Sequence, residues 1–128
     1  MDSFLLRVMQ ALMPEAAGVS GEAAWRPAAD VYRTAHGWLV KFDLAGVKAE
    51  EIQLTAKGSQ LTVRGSRRDW SIEEKCHCHQ MEIAYSHFER TLGLPCDLER
   101  ADISADYKDG MLLVRIRDGS GPEGTANG

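Results

Sequence analysis

The chain has 128 residues and a formal net charge of -4, from 19 acidic and 15 basic side chains. This length is sufficient for one domain with a hydrophobic core. The acidic balance provides no basic surface for nucleic acid. No run approaches the ~18 apolar residues that would span a membrane, so neither nucleic acid nor a membrane is an expected partner.

Export is not expected either. The chain begins with Asp2 in place of a basic start, and Arg7 lies inside the first apolar run, which argues against a signal peptide. Three cysteines are an odd count for a disulfide framework. Reduced thiols and a cytoplasmic location are therefore favoured.

The N-terminal residues predict a short helix followed by a linker. Within residues 3–13, apolar side chains recur at the i, i+3, i+4, i+7 spacing of one helical face, and Pro14 ends the pattern. The helical face consists of Leu5, Val8, Met9 and Leu12. About ten residues form only a marginal helix in water, so this segment must dock or stay partly disordered. Residues 15–24, rich in Ala and Gly without a period, predict a flexible linker.

The remaining residues predict an all-β fold. Apolar and polar residues alternate over 38–44, 52–57, 61–65, more weakly over 81–94, and twice within 102–117. Residues 25–32 contain Pro27 and form an edge strand at most. The clearest element is a hairpin over 102–117, because Asp109-Gly110 tolerates the positive φ of a tight turn. Strands about every ten residues favour an immunoglobulin-like β-sandwich over β-α-β units.

Six short motifs follow one another through this β region. They are Pro-Ala-Ala-Asp-Val-Tyr at 27–32, Leu-Val-Lys-Phe-Asp-Leu-Ala-Gly-Val at 39–47, Glu-Ile at 51–52, Leu-Thr-Val-Arg-Gly-Ser-Arg at 61–67, Phe-Glu-Arg-Thr-Leu-Gly-Leu-Pro at 88–95, and Ala-x-x-x-x-Gly-x-Leu at 105–112. Their order and spacing resemble the signature of the small heat-shock protein (α-crystallin/Hsp20) family.

The chain also departs from that family pattern. Ala45 stands where the family usually has proline, Ser86 where it has glycine, and Ile83 where arginine is common. Family members usually carry an Ile-x-Ile/Val motif after the last strand, which fills a groove on a neighbouring subunit. Residues 118–128 contain no such pair, so large oligomers locked by this motif are not expected.

The resemblance implies three regions. They are an N-terminal apolar segment and linker over 1–24, an α-crystallin domain over 25–118, and a disordered tail over 119–128. It further implies a stress-response holdase that works without ATP or a cofactor. Its expected partners are unfolded client proteins and a second copy of itself, in a homodimer or small oligomer.

The N-terminal apolar side chains are the candidate client-binding surface, since mobile, Met-rich segments re-pack around varied partners. They are Phe4, Leu5, Leu6, Val8, Met9, Leu12 and Met13. The plainer interpretation is a helix that packs on its own domain or on a second copy.

A groove that accepts an extended peptide by strand addition is also implied. Its candidate residues are Ile52, Leu54 and Ala56, which face Ile103 and Ala105. Its occupant stays open at this point: nothing, a client, another chaperone's tail, or the N-terminal segment. The alternative is ordinary core packing with no open groove.

The resemblance implies that dimers form by strand exchange. Residues 67–79 would supply the strand, with Trp70 and Ile72 as anchors. The receiving edge would be formed by Asp30, Val31 and Tyr32. A long connection in a compact domain usually has a function, although a solvated loop is the alternative. Arg90, in the Phe-x-Arg motif, is the candidate dimer or loop contact, with a surface salt bridge as the plainer interpretation.

Four consecutive residues could form a metal or redox site, namely Cys76, His77, Cys78 and His79. Its spacing differs from that of structural zinc sites, so an ordinary polar loop is favoured over a metal or redox site. No nucleophile elbow, phosphate loop or metalloprotease motif is present in the sequence, so we do not expect an enzyme. The alternative functions are a CS/p23-like module that binds a folded partner, and a metal- or redox-responsive protein.

Overall fold

The computed structural model describes residues 25–69 and 76–118, together with the backbone of two short N-terminal strands. The strands are β1 (Phe4–Leu5), β2 (Met9–Gln10), β3 (Ala29–Arg33), β4 (Gly37–Asp43), β5 (Ile52–Lys57), β6 (Gln60–Ser66), β7 (His87–Gly93), β8 (Asp102–Lys108) and β9 (Met111–Arg117). Two short 3-10 helices lie at Ala49–Glu51 and Leu98–Arg100.

These strands form two packed sheets. The five-stranded sheet has the order β1-β8-β9-β4-β3, and the four-stranded sheet has the order β2-β5-β6-β7. Neighbouring strands are antiparallel except for β2 and β5, which are parallel. The predicted immunoglobulin-like β-sandwich is confirmed.

The predicted hairpin is formed by β8 and β9, with Lys108 opposite Met111. Its two turn residues, Asp109 and Gly110, have φ angles of 54° and 80°. Positive φ at both positions is typical of the type I′ turn, whose twist matches that of the flanking strands. The Asp-Gly pair therefore sets the register of this hairpin.

The core lies between the two sheets and is apolar. Every second residue of a strand points inward, which explains the alternation in the sequence. The fully or nearly fully buried side chains are Val40, Phe42, Leu44, Val47, Leu54, Ala56, Leu61, Val63, Phe88, Leu94, Leu98, Ala105, Tyr107, Leu112, Val114 and Ile116. The hydroxyl of Tyr107 lies 2.8 Å from the carbonyl oxygen of Leu44 and 2.5 Å from that of Val47. Burial, as the largest cause, raises the pKa of this phenol.

The predicted helix over residues 3–13 is wrong where the structure describes this segment, because Phe4–Leu5 and Met9–Gln10 form strands. An isolated helix of about ten residues is only marginally stable in water. An open sheet edge offers unpaired backbone groups, so the same residues gain hydrogen bonds by pairing with it as strands. The predicted linker over 15–24 and the predicted disordered tail over 119–128 lie outside the described residues.

The weak alternation over 81–94 also gives a shorter strand than predicted. β7 begins only at His87. Met81, Ile83 and Tyr85 are exposed and belong to the connection between β6 and β7. These side chains alternate as in a strand, but no inward face buries them.

One glycine is required by the close approach of two chain segments. A Cβ on Gly65 would lie 2.0 Å from the carbonyl oxygen of Glu51 and 2.8 Å from the ring of Phe88. A side chain of any size would push β6 away from the turn that precedes β5. Gly93, on β7, has no atom within 4 Å of the corresponding position.

We predict that Gly65→Ala destabilises the domain by at least about 2 kcal/mol, because the added methyl group overlaps backbone that cannot move alone. Gly93→Ala is the matched control and should change stability by less than about 0.5 kcal/mol. Denaturant-induced unfolding measures both. Equal stabilities for the two variants would show that the approach of Glu51 to Gly65 is not a constraint.

Candidate functional site

The edges of β5 and β8 each pair with a strand of the N-terminal segment. β1 lies antiparallel on β8, with Phe4 opposite Tyr107 and Leu5 opposite Asp106. β2 lies parallel on β5, with Met9 opposite Thr55 and Gln10 opposite Ala56. Four residue steps from Leu5 to Met9 span at most about 14 Å. Both edges must therefore lie on the same side of the sandwich.

The five predicted groove residues are brought together at this side, but they face inward. Leu54, Ala56 and Ala105 are fully buried in the core. Ile52 and Ile103 are partly buried and pack against it. The groove residues therefore serve as core, while the backbone of the same strands accepts the added strands.

The opposite edge of the five-stranded sheet is different. Within residues 25–69 and 76–118, β3 pairs with β4 and no strand covers its outer edge. Its Val31 and Tyr32 are 41% and 44% exposed, and the Tyr32 hydroxyl donates to Asp30 at 3.4 Å. These are the predicted receiving residues. The predicted donor anchors Trp70 and Ile72 lie outside the described residues.

Arg90 contacts backbone within its own chain. Its guanidinium donates a 2.8 Å hydrogen bond to the carbonyl oxygen of Pro27. This bond joins β7 to the residues that lead into β3. Arg90 therefore positions the edge strand that the dimer interpretation assigns to subunit contact.

Arg67 is a site residue that the sequence interpretation missed. It follows β6, and its Nε donates to the carbonyl oxygen of Ala84 at 2.8 Å while another guanidinium nitrogen donates to that of Ala45 at 3.1 Å. Its backbone N–H donates to Ser86 at 2.9 Å. The guanidinium carbon lies 3.6 Å from the centroid of the Trp25 ring, a cation–π contact. The side chain of Arg67 therefore connects its own segment with those of Trp25, Ala45 and Ala84.

Trp25 connects Arg67 with the hydrophobic core. Its ring meets that of Phe88 edge to face, with centroids 5.3 Å apart. Its backbone forms an isolated bridge beside β7 and donates to the carbonyl oxygen of His87 at 3.4 Å. Arg67 thus fixes both ends of the connection between β6 and β7. In the sequence, the only sign of this role is the position of Arg67 at the end of the fourth motif, residues 61–67.

The Cys-His-Cys-His run lies in that connection. Cys76, His77, Cys78 and His79 are all exposed. Among the described residues, no group of three or more His, Cys, Asp or Glu side chains is placed to hold a metal ion. Cys96 is partly buried, and burial, followed by a hydrogen bond to Asp118, raises the pKa of its thiol to about 11. It therefore stays protonated at neutral pH and is a poor nucleophile.

None of the helices in the described part of the chain has the length and apolar character that a bilayer span requires.

Comparison with known proteins agrees with this architecture. The chain matches the Hsp20/alpha crystallin family over residues 30–125. It is 30% identical to spore protein SP21 of Stigmatella aurantiaca, over 80% of this chain and 61% of that relative. It is 27% identical to small heat shock protein C2 of Rickettsia felis, over 70% of this chain and 58% of that relative. The crystal structure of hspA from Xanthomonas axonopodis superposes with a TM-score of 0.63 at 27% identity, covering 77% of this chain and 99% of that one.

The two-sheet sandwich with its β8–β9 hairpin is therefore an α-crystallin domain. The chain belongs to the Hsp20/alpha crystallin family, and its relatives include small heat shock proteins. It spans about three fifths of the length of these two curated relatives.

We predict that Arg67→Lys destabilises the domain by about 1–3 kcal/mol, because an ammonium group cannot reproduce the planar fork that bonds two carbonyl groups and stacks on Trp25. Amide hydrogen exchange over residues 84–86 should accelerate. Arg68→Lys is the matched control, since the adjacent Arg68 is exposed and pairs with Glu51 at 3.4 Å. It should cost less than about 0.5 kcal/mol. Similar losses in both variants would contradict an anchoring role for Arg67.

Proposed function

We propose that this protein is an ATP-independent holdase that binds partly unfolded proteins in a reducing, cytoplasmic environment and prevents their aggregation. The observation that carries this proposal is family membership over residues 30–125. The exposed large apolar side chains support it, and they lie on β3 (Val31 and Tyr32) and in the connection between β6 and β7 (Met81, Ile83 and Tyr85). Capturing unfolded chains competes with their self-association by mass action.

The client-binding surface that we propose is the N-terminal segment. Its apolar side chains are Phe4, Leu5, Leu6, Val8, Met9, Leu12 and Met13. The two methionines supply unbranched, polarisable side chains that adapt to irregular partners. In the described part of the domain most large apolar side chains lie in the core, so the N-terminal segment adds apolar surface to the few exposed side chains of β3 and the β6–β7 connection.

We further propose that two copies form a dimer by strand exchange. The connection between β6 and β7 comprises residues 67–86. Loops of more than about 12–15 residues without secondary structure are uncommon in a compact domain, so this connection is long enough to suggest a function. Met81 and Ile83 in this connection are 68% and 59% exposed. The open edge of β3 supplies backbone partners for a strand from the second copy. Residues 67–79 are the proposed donor, and Asp30, Val31 and Tyr32 the acceptor.

We predict that the protein suppresses the heat-induced aggregation of citrate synthase without ATP, as measured by light scattering. Deleting residues 1–13 should weaken this protection while the dimer persists, because the deletion removes apolar side chains but not the β3 edge. If equimolar full-length protein leaves aggregation unchanged, even after it has been heated first, the holdase proposal is wrong. If the deletion variant protects as well as the full chain, clients bind elsewhere.

We also predict that Val31→Lys combined with Tyr32→Lys raises the dissociation constant of the dimer by at least about tenfold. Two charges on the receiving edge oppose strand pairing and the burial of that edge. Gln53→Lys, at an exposed position on β5, is the control and should leave the dimer intact. Size-exclusion chromatography with light scattering measures the assembly. A dimer of unchanged affinity in the double variant would exclude β3 as the acceptor edge.

A further inference from the structure

We propose that Arg67 is a positioning residue for the dimer. Its guanidinium group holds the base of the connection between β6 and β7 on its own domain, and the part that passes to the second copy begins after Arg67 and ends before Ala84. We call Arg67, the ring of Trp25, and the carbonyl groups of Ala45 and Ala84 the Arg67 clamp. This inference rests on the proposed strand exchange, and it adds which side chain sets the affinity of the dimer.

Two parts of the Arg67 clamp belong to the folded domain. Ala45 follows the fully buried Leu44, and its carbonyl oxygen accepts a hydrogen bond from Arg67 at 3.1 Å. The ring of Trp25 lies 3.6 Å from the guanidinium carbon and packs on the core through its edge-to-face contact with Phe88. Because core packing holds these partners, the guanidinium group has a rigid base.

The third part of the clamp belongs to the connection. Nε of Arg67 donates to the carbonyl oxygen of Ala84 at 2.8 Å, and the backbone N–H of Arg67 donates to that of Ser86 at 2.9 Å. Residues 76–83 are all exposed, and Ala84 is the first partly buried residue after them. The exposed stretch therefore ends where the clamp begins, so residues 76–83 can leave the domain without breaking it. Arg67, the first residue of the proposed donor range, stays behind.

The clamp lowers the entropic cost of dimerisation. A segment that pairs with a second chain must be ordered, and residues already ordered in the free chain lose little further freedom on binding. Arg67 orders residues 84–86 within one chain, through its guanidinium group and its backbone N–H. Without the guanidinium contacts, this ordering would take place during dimerisation and would weaken the dimer.

The clamp requires both a guanidinium group and an aromatic ring. A guanidinium group is planar, so it donates to two carbonyl groups while its face lies on the Trp25 ring. The ring centroid of Tyr85 lies 5.9 Å from the same guanidinium carbon, so a second aromatic ring borders the group. A lysine at position 67 would keep the charge and lose the planar fork. A leucine at position 25 would keep apolar bulk and lose the aromatic face.

The test measures the dissociation constant of the dimer by sedimentation velocity. Arg67→Lys should raise this constant at least about tenfold. Val114→Ala is the control, because it removes buried methyl groups from β9 and destabilises the domain without touching the clamp. It should change the dissociation constant by less than about twofold, since lost stability alone does not disorder residues 84–86. Thermal unfolding shows that both variants are folded at the temperature of the measurement.

A second pair of variants changes the aromatic partner. Trp25→Phe keeps a face for the guanidinium group and should leave the dissociation constant within about twofold, whereas Trp25→Leu should raise it about fivefold or more. Arg67→Lys combined with Trp25→Leu should form a dimer no weaker than that of Arg67→Lys alone, because both substitutions remove the same contact.

Three results would each overturn the positioning role: an Arg67→Lys dimer of unchanged affinity, an equal weakening by Val114→Ala, or effects at positions 67 and 25 that multiply in the double variant. A different result separates the underlying proposal. If the unaltered protein forms no dimer, or if Val31→Lys with Tyr32→Lys leaves the dimer intact, the proposed strand exchange is lost and the positioning role with it.

Discussion

The outer edges of the two sheets are the constraint on which the rest of this structure depends. A sandwich of two open sheets has four such edges, and each leaves backbone donors and acceptors that need partners. Here β1 pairs with the edge of β8, β2 with that of β5, and Trp25 bridges to β7. In the described part of the chain, β3 is the strand whose outer edge stays uncovered. Within the described residues, the molecule thus pairs three edges from within and leaves the outer edge of β3 open.

Two arginines make this arrangement rigid by bonding to backbone rather than to acidic side chains. Arg90 donates to Pro27, just before the uncovered edge strand, and Arg67 donates to Ala45 and Ala84 at the base of the long connection. A guanidinium group suits this task because its donors lie in one plane and its face stacks on an aromatic ring. The residues that lead into β3 and the two ends of the connection between β6 and β7 are therefore each held by a guanidinium group.

The strands and the class of fold could be predicted from the sequence because each strand buries one face, which produces a local period of two. The Asp109-Gly110 turn was equally local, since positive φ at two positions depends on those residues alone. Ala45, which replaces the usual family proline, is also accounted for: its N–H donates to the Asp43 carboxylate at 3.3 Å, a bond that proline cannot make.

The contacts of the site could not be predicted in this way because they depend on residues far apart in the chain. Leu5 and Met9 are four positions apart, a spacing that suits one face of a helix equally well. These residues form strands because the β5 and β8 edges offer backbone partners, and those edges are formed by residues much later in the sequence. The convergence of Trp25, Ala45 and Ala84 on Arg67 has no local pattern at all. Met81, Ile83 and Tyr85 are the opposite case: they alternate as in a strand, but they belong to no strand and are exposed.

The pairing of Phe4–Leu5 with β8 and of Met9–Gln10 with β5 has a physical reason in the sheet edges themselves. Without these pairs, the β8 and β5 edges would leave two rows of unpaired backbone donors and acceptors on one side of the sandwich, which favours pairing with other chains. Each N-terminal strand has two residues, so it covers only part of the edge on which it lies. The four residue steps from Leu5 to Met9 suffice to reach from one sheet to the other, and one short stretch of sequence therefore serves both edges.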